Sequence, residues 1–273
     1  MIKKIFRQSG LFILLASPAY SLYAAENTSD STQTIAFEKN TWGIGLGAIF
    51  SPQPYKDTTP TILPIPIITY RSNTLNISGP FASYRFLDYK FAQTSAQVFL
   101  YPQVFKADDS SDSAISKLDN RNYLVMAGIN QKFLSPYGIV NIGINADITT
   151  QSNGYMIDLG YNKPFIFSNN KYLGDSNQLV INPGVGVQYS NHLLTNYYYG
   201  ISSTESQRSG LEVYHPSGAF SPYASLMIYY TIQKHWNISA IARVNRLANS
   251  IVDSPMVDKR YITTAIISLT YGF

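Results

Sequence analysis

The chain has 273 residues, of which 45% are hydrophobic, 14% aromatic and only 13% charged, with no Cys. A charged share about half the usual one argues against an ordinary hydrated surface, and the lack of Cys excludes disulfides and thiolate metal sites. The formal charge of +4 is largely a property of the first segment: without its three basic residues, 20 Lys and Arg become 17 against 16 Asp and Glu, which gives no case for nucleic acid as a partner.

Met1–Ala25 reads as a secretory signal peptide. Lys3, Lys4 and Arg7 make a basic start, and Leu11–Ala16 is an apolar core too short to cross a bilayer. Cleavage is expected near Ser21–Ala25; an uncleaved anchor is the alternative. Glu26–Thr41 is polar and aperiodic and is read as a periplasmic leader. Beyond it, the longest apolar run, Ile62–Ile68, is broken by Pro64 and Pro66. Helical membrane spans are therefore excluded.

From Trp42 onwards the pattern has a period of two, which sends successive side chains to opposite faces of a strand. Trp42–Phe50 sets Trp42, Ile44, Leu46, Ala48 and Phe50 against Gly43, Gly45 and Gly47. Ser51–Thr61 is loop, Ile62–Tyr70 a strand, and Leu75–Ser78 with Phe81–Tyr89 a hairpin about Gly79-Pro80. Thr94–Val104 follows, then the polar loop Lys106–Asn120. Strands are expected over Tyr123–Asn130, Val140–Thr149 and Tyr155–Asn162, and again over Leu179–Tyr189. A Tyr- and Ser-rich loop covers Asn191–Gly218. Ala224–Gln233, Trp236–Asn245 and Thr264–Phe273 complete the set. In the last segment Phe273, Tyr271, Leu269 and Ile267 share an apolar-aromatic face, which is read as a C-terminal assembly signal.

Segments of this length suit a tilted transmembrane strand, and about twelve of them, with ten to fourteen compatible, predict an all-β, antiparallel up-and-down transmembrane barrel over 42–273. A soluble β-sandwich would carry Lys and Glu on its polar face; here that face carries Gly, Ser, Asn, Gln and Tyr. With the C-terminus periplasmic, Arg71–Thr74, Asp88–Lys90, Ser135-Pro136, Ser168–Asn177 and Lys234–His235 fall inside. The long polar loops fall outside.

Little in the chain could carry chemistry. His192 and His215 share the long loop with Glu205 and Glu212, and a surface protease is a reading to set against plain solvated residues. His235 beside Trp236 is read as an interface pair. Asp108, Asp109, Asp112 and Asp119 lack the Gly and terminal Glu of a calcium loop. Parity turns Arg85, Lys132, Asp147, Asp158 and Arg243 into the barrel, where they form either an ion-selective constriction or a bracing charge network, since buried charges need partners.

Tyr197–Gly218 (YYYGISSTESQRSGLEVYHPSG) resembles the Tyr-Tyr-Gly-Val … Gly-Leu-x-x-Tyr … Gly block of the MipA/OmpV family of outer-membrane proteins, the MltA-interacting proteins. Asp253-Ser254-Pro255-Met256-Val257 is similar to that family's loop before the last strand, and Gly43–Tyr55 to its opening strand with Pro-x-Tyr. Ile201 replaces Val, and Lys56-Asp57 stand where Gly-Ser is common. The resemblance implies a non-catalytic outer-membrane barrel without cofactor. It would be inserted by the outer-membrane assembly machinery among lipid and lipopolysaccharide. The scaffold role it implies joins a lytic transglycosylase to a peptidoglycan synthase, with a small pore or a surface adhesin as alternatives.

Overall fold

The computed structural model describes residues 41–58, 60, 62–168 and 177–273. The signal peptide and all of the leader except Thr41 lie outside them, and Thr41 already belongs to the first strand. The strands are β1 (Thr41–Phe50), β2 (Ile62–Arg71), β3 (Leu75–Ser78), β4 (Phe81–Tyr89), β5 (Ala92–Tyr101), β6 (Leu124–Ser135) and β7 (Gly138–Asp147). They continue as β8 (Tyr155–Asn162), β9 (Phe165–Ser168), β10 (Gln178–Ser190), β11 (Ala219–Ile232), β12 (Trp236–Arg246) and β13 (Tyr261–Gly272).

All pairings are antiparallel, and β13 returns to β1, with Ile44 opposite Tyr271, so the sheet closes on itself. β8 and β9 both pair with β10 in one unbroken register, Gly184 opposite Asn162 and Ile181 opposite Phe165. They are therefore one spanning strand interrupted at Lys163-Pro164, because Pro164 has no N–H for the ladder. Counted so, the described residues form a closed barrel of twelve strands.

The expected parity holds. Ile44, Leu46, Ile144 and Val185 face outward and are exposed, whereas Gln97, Met126, Asn130, Asn145 and Asn182 face inward and are buried. In water such an apolar exterior would be unfavourable; against acyl chains it is the favourable arrangement. Aromatic belts flank it. Trp42 packs on Tyr70 with ring centroids 4.6 Å apart and Trp236 on Tyr271 at 5.0 Å near the periplasmic edge; Tyr189 packs on Phe220 at 4.7 Å near the outer one. His235 stacks on Tyr271 at 5.6 Å. Inside, glycine marks crowding: a Cβ on Gly128 would collide with the Ile144 carbonyl oxygen.

Two expectations need correction. The strand expected over Thr94–Val104 ends at Tyr101, since Pro102 cannot donate to the ladder and the chain turns in to bury Phe105. The stretch Asn191–Gly218 is not a plain loop. It holds α1 (His192–Tyr199) and α2 (Ser203–Ser209), and a third short helix, α3 (Asn249–Val252), lies before β13.

Candidate functional site: the closed lumen

The barrel's main hydrophobic cluster sits in its outer mouth. Tyr55, Phe105, Leu194, Tyr198, Tyr199, Ile201, Ile251 and Met256 pack together there, drawn from four outer connections. Tyr55 is fully buried, with its ring edge-on to Phe105 at 4.7 Å. Its hydroxyl donates to the Tyr198 carbonyl oxygen at 3.3 Å and accepts from Gln103 Nε2 at 3.0 Å. The β1–β2 connection is tied to the β12–β13 one by a bridge between Tyr55 and Val257, and to the β5–β6 one by a bridge between Thr58 and Ser110.

The mouth also holds a buried ion pair. Arg121 Nη2 lies 2.7 Å from Glu205 Oε1, both nearly inaccessible. Glu205 is fully hydrogen-bonded, since it also accepts from Asp119 N at 3.0 Å and from Ser202 N and Oγ at 2.9 Å each. The Ser202 N–H bond, with the Glu205 N–H donating back to Ser202 Oγ at 3.2 Å, makes a capping box at the start of α2. Burial alone would push the Glu205 carboxyl up, but these donors and the Arg121 charge outweigh it and hold it below the usual value. Arg121 further donates to the Asp119 and Gly200 carbonyl oxygens. One guanidinium thus joins the β5–β6 connection to the α1–α2 corner.

Beneath this lid lies a cavity of about 140 Å³, walled by apolar Ile241, Leu247, Ile251 and Ile266 and by polar Gln103, Gln188, Arg243 and Asn245. A second cavity, about 80 Å³, lies among Gln97, Asn130, Asn141, Asn145 and Asp158 and shares Arg243 with the first. Arg243 stacks on Tyr223 at 3.6 Å, donates to Asn245 Oδ1 at 2.9 Å and Gln188 Oε1 at 3.1 Å, and stands 3.7 Å from Asp158 Oδ2. Tyr223 donates its hydroxyl hydrogen to Asp158 Oδ1 at 2.9 Å. Amides chain along the wall, Asn141 to Asn162 at 2.8 Å and Asn162 to Asn182 at 3.0 Å. Four buried acceptors on the smaller cavity accept no hydrogen bond: Gln97 Oε1, Asn130 Oδ1, Asn141 Oδ1 and Asp158 Oδ2. Acceptors of this kind call for water or another donor in the space they enclose.

Of the five charges that parity turns inward, Asp158 and Arg243 come together. Arg85 pairs with Asp88 at 2.9 Å and donates to the Asn73 carbonyl oxygen near the periplasmic end. Lys132 is buried on the same part of the wall, opposite Gln93, whose amide donates to Asp88 Oδ1 at 3.1 Å. Asp147 accepts from Thr149 N at 2.8 Å and Ser152 N at 2.7 Å, so it holds the β7–β8 turn. The loop histidines are not joined to acids: Glu205 is committed to Arg121, and His215 Nδ1 meets Asn196 Oδ1 at 3.1 Å. Asp112 caps the N–H groups of Ala114 and Ile115, Asp119 pairs with Arg208 at 2.7 Å, and no cluster of three or more metal-ligating side chains occurs among the described residues. Arg121 and the Arg121–Glu205 contact escaped sequence reading, and Tyr55 figured there only as the end of the Pro-x-Tyr match. The Ser202-x-x-Glu205 spacing is a recognisable helix start, but nothing near Arg121 signals its partner.

A lipid-facing twelve-strand barrel with belts at both edges is an outer-membrane protein. The family model described as MltA-interacting protein MipA matches residues 44–273, and the chain belongs to that family. It is 31% identical over 239 residues to the MltA-interacting protein of Escherichia coli K12, covering 88% of this chain and 93% of that one. It is 30% identical over 231 residues, 84% of this chain and 90% of the other, to YiaT of the same organism, whose name assigns it to the outer membrane. Among solved structures, an outer membrane channel of Pseudomonas putida F1 matches over 91% of this chain and all of its own, at 10% identity and a TM-score of 0.43.

Proposed function

We propose that this barrel is a non-catalytic platform that holds a murein-processing enzyme at the inner surface of the outer membrane. The observation that carries the reading is the lid: buried Tyr55, Tyr198 and Tyr199 with the Arg121–Glu205 pair stand across the route a solute would take. A barrel stopped at its outer mouth has its periplasmic turns left to act through. There the Ser135–Gly138 turn presents Tyr137, 79% exposed, and the β4–β5 turn presents Phe91, 68% exposed, aromatics of the kind that anchor protein contacts. The relative named MltA-interacting protein supports a lytic transglycosylase as the partner class.

The test is capture of a purified lytic transglycosylase by the solubilised barrel. Retention is expected for the unmodified chain and weakened about tenfold or more in Tyr137→Ala/Phe91→Ala. No retention by the unmodified chain would sink the platform. A small pore is the second reading, favoured by the two cavities that share Arg243; planar-bilayer conductance decides it.

A further inference from the structure

The wall of the barrel is incomplete in its outer half. β3 has four residues and pairs only with Thr69–Arg71 of β2, and β4 starts opposite Phe99 of β5. Above the Gly79-Pro80 turn, where Gly79 N–H donates to the Ile68 carbonyl oxygen at 2.9 Å, two strands are missing. Among the described residues, Ile62–Ile67 of β2 has ladder partners on the β1 side alone, and Leu100 and Tyr101 of β5 on the β6 side alone. At the turn, β2 and β5 stand three strand spacings, about 14 Å, apart. The Thr58–Ser110 bridge, with Ser110 Oγ donating to the Lys56 carbonyl oxygen at 2.9 Å, closes the top. The result is a framed window in the wall.

The sequence prepares this edge to stay open. Because the Ile68 carbonyl points away from β1, alternation along the strand turns the backbone of Ile62, Pro64 and Pro66 the same way. Along Ile62–Ile67, Pro64 and Pro66 thus delete two of the three N–H groups on the window side, so no added strand can zip onto this edge. An open edge in hydrocarbon is costly where donors are left bare, and proline leaves none at those two positions.

Directly behind β2 the lumen is apolar. Ile65 and Ile67 turn inward and pack with Ile49, Ile266 and Ile241. Ile241 and Ile266 also line the 140 Å³ cavity, which reaches Tyr101 at the opposite jamb and Ser51 under the roof. We infer that the window admits the end of one acyl chain from an outer-leaflet lipid into this cavity. Depth selects that occupant: Ile62–Ile67 lies between the outer rim and the Tyr70 belt, flanked outside by exposed Ile62, Ile68 and Val98, where acyl chain is the material at hand. Volume agrees: engineered cavities of about 150 Å³ take up a benzene-sized molecule, and here Ile241, Leu247, Ile251 and Ile266 offer the apolar wall while Arg243, Asn245 and Gln188 are hydrogen-bonded to one another. The space suits the last few carbons of a chain and not a whole lipid.

The test places single tryptophans in a Trp42→Phe/Trp236→Phe background in vesicles of phosphatidylcholine with brominated acyl chains, which quench nearby indoles. Ile266→Trp reports the cavity. Ile267→Trp, outward on the same strand, reports the bilayer. Val180→Trp, inward and fully buried on β10, reports quenching through the wall. Quenching of Ile266→Trp to about half or more of the Ile267→Trp value, with Val180→Trp well below both, is the expected result. A smaller effect at Ile266→Trp, or an equal one at Val180→Trp, overturns the inference. If Ile266→Trp fails to give heat-modifiable barrel, the delipidated unmodified chain is titrated with phosphatidylglycerol and weighed intact. One saturable adduct is expected, and its absence overturns the inference equally.

Discussion

At the scale of single residues, the Arg121–Glu205 pair is the buried charged tie across the outer mouth. Removing one partner of a buried pair leaves the other charge stranded, at a cost of about 3–5 kcal/mol. Arg121→Ala should therefore release α2 and the α1–α2 corner while the strands keep their pairing. The titration has a definite sign. Glu205 is held below its ordinary value of 4.5 in the folded chain, so its contribution is present above the unfolded carboxyl's value. It is lost as pH falls through the lower, folded value. Protection of the Ser203–Ser209 amides, taken relative to the intrinsic exchange rate at each pH, should be high at neutral pH, lower in acid below the folded Glu205 value, and low at both in Arg121→Ala. Equal protection of wild type at both pH values would remove the pair from this role. Only half of the contact was legible. Ser202 and Glu205 stand three apart and announce a helix start, whereas Arg121 meets Glu205 across a sequence separation of 84 residues with no local pattern. The converse holds for Asp158 and Arg243: both lie within strands, where parity alone turns them inward, and the barrel's curvature brings them together. Asp147, the last residue of its strand, has the same parity, but the turn's donors at Thr149 and Ser152 take it first.

At the scale of elements, the strands could be read because lipid imposes a period of two on one face regardless of what the other face does. β7 carries that test. Ile144 faces lipid at 56% exposure, so Ile144→Arg should cost about 2–4 kcal/mol at mid-bilayer depth. Its neighbour Asn145 is buried and accepts from Gln97, so Asn145→Ser is not silent, but losing one net hydrogen bond costs only about 1 kcal/mol. Urea unfolding of the two variants in detergent compares them, and equal losses would mean the faces are assigned wrongly. α1 was not legible, for a physical reason, whereas α2 announces only its first turn, through Ser202 and Glu205. Tyr197, Tyr198 and Tyr199 are consecutive, and Tyr198 and Tyr199 pack into the lid while the Tyr197 hydroxyl meets Asn122 and Gln151. α1 does bury a stripe at helical spacing, Leu194, Thr195, Tyr198 and Tyr199, but with polar Thr195 on that face and apolar Leu193 and Tyr197 off it, the contrast over eight residues is too weak to show. The break at Lys163-Pro164 was hidden differently, since proline ends a ladder locally while the register beyond it continues unchanged.

At the scale of the whole molecule, closure and conduction are separate questions. Closure depends on the β1–β13 seam, which Phe273 finishes by donating its N–H to the Trp42 carbonyl oxygen at 2.9 Å. Deleting Phe273 removes that bond and the terminal aromatic side chain that the assembly machinery is proposed to read. The heat-modifiable, folded fraction in the outer membrane should fall sharply, and wild-type levels would discard the assembly role. On the platform reading, an ion crossing the lumen would meet two barriers in series. The lid is stitched from four connections, and below it Arg243 stands between the two cavities, stacked on Tyr223 and facing Asp158. With both in place the purified barrel should show little ion conductance. Arg243→Ala strands Asp158, at a cost of about 3 kcal/mol, and joins the larger space to the smaller. It should give small channels, still limited by the lid. Adding Arg121→Ala opens the second barrier, so the double variant should conduct more than the sum of the singles, as for resistances in series. A double variant no more conductive than Arg243→Ala would place the only barrier at Arg243. Large, stable conductance in the unmodified protein would remove both barriers and put the pore reading ahead of the platform.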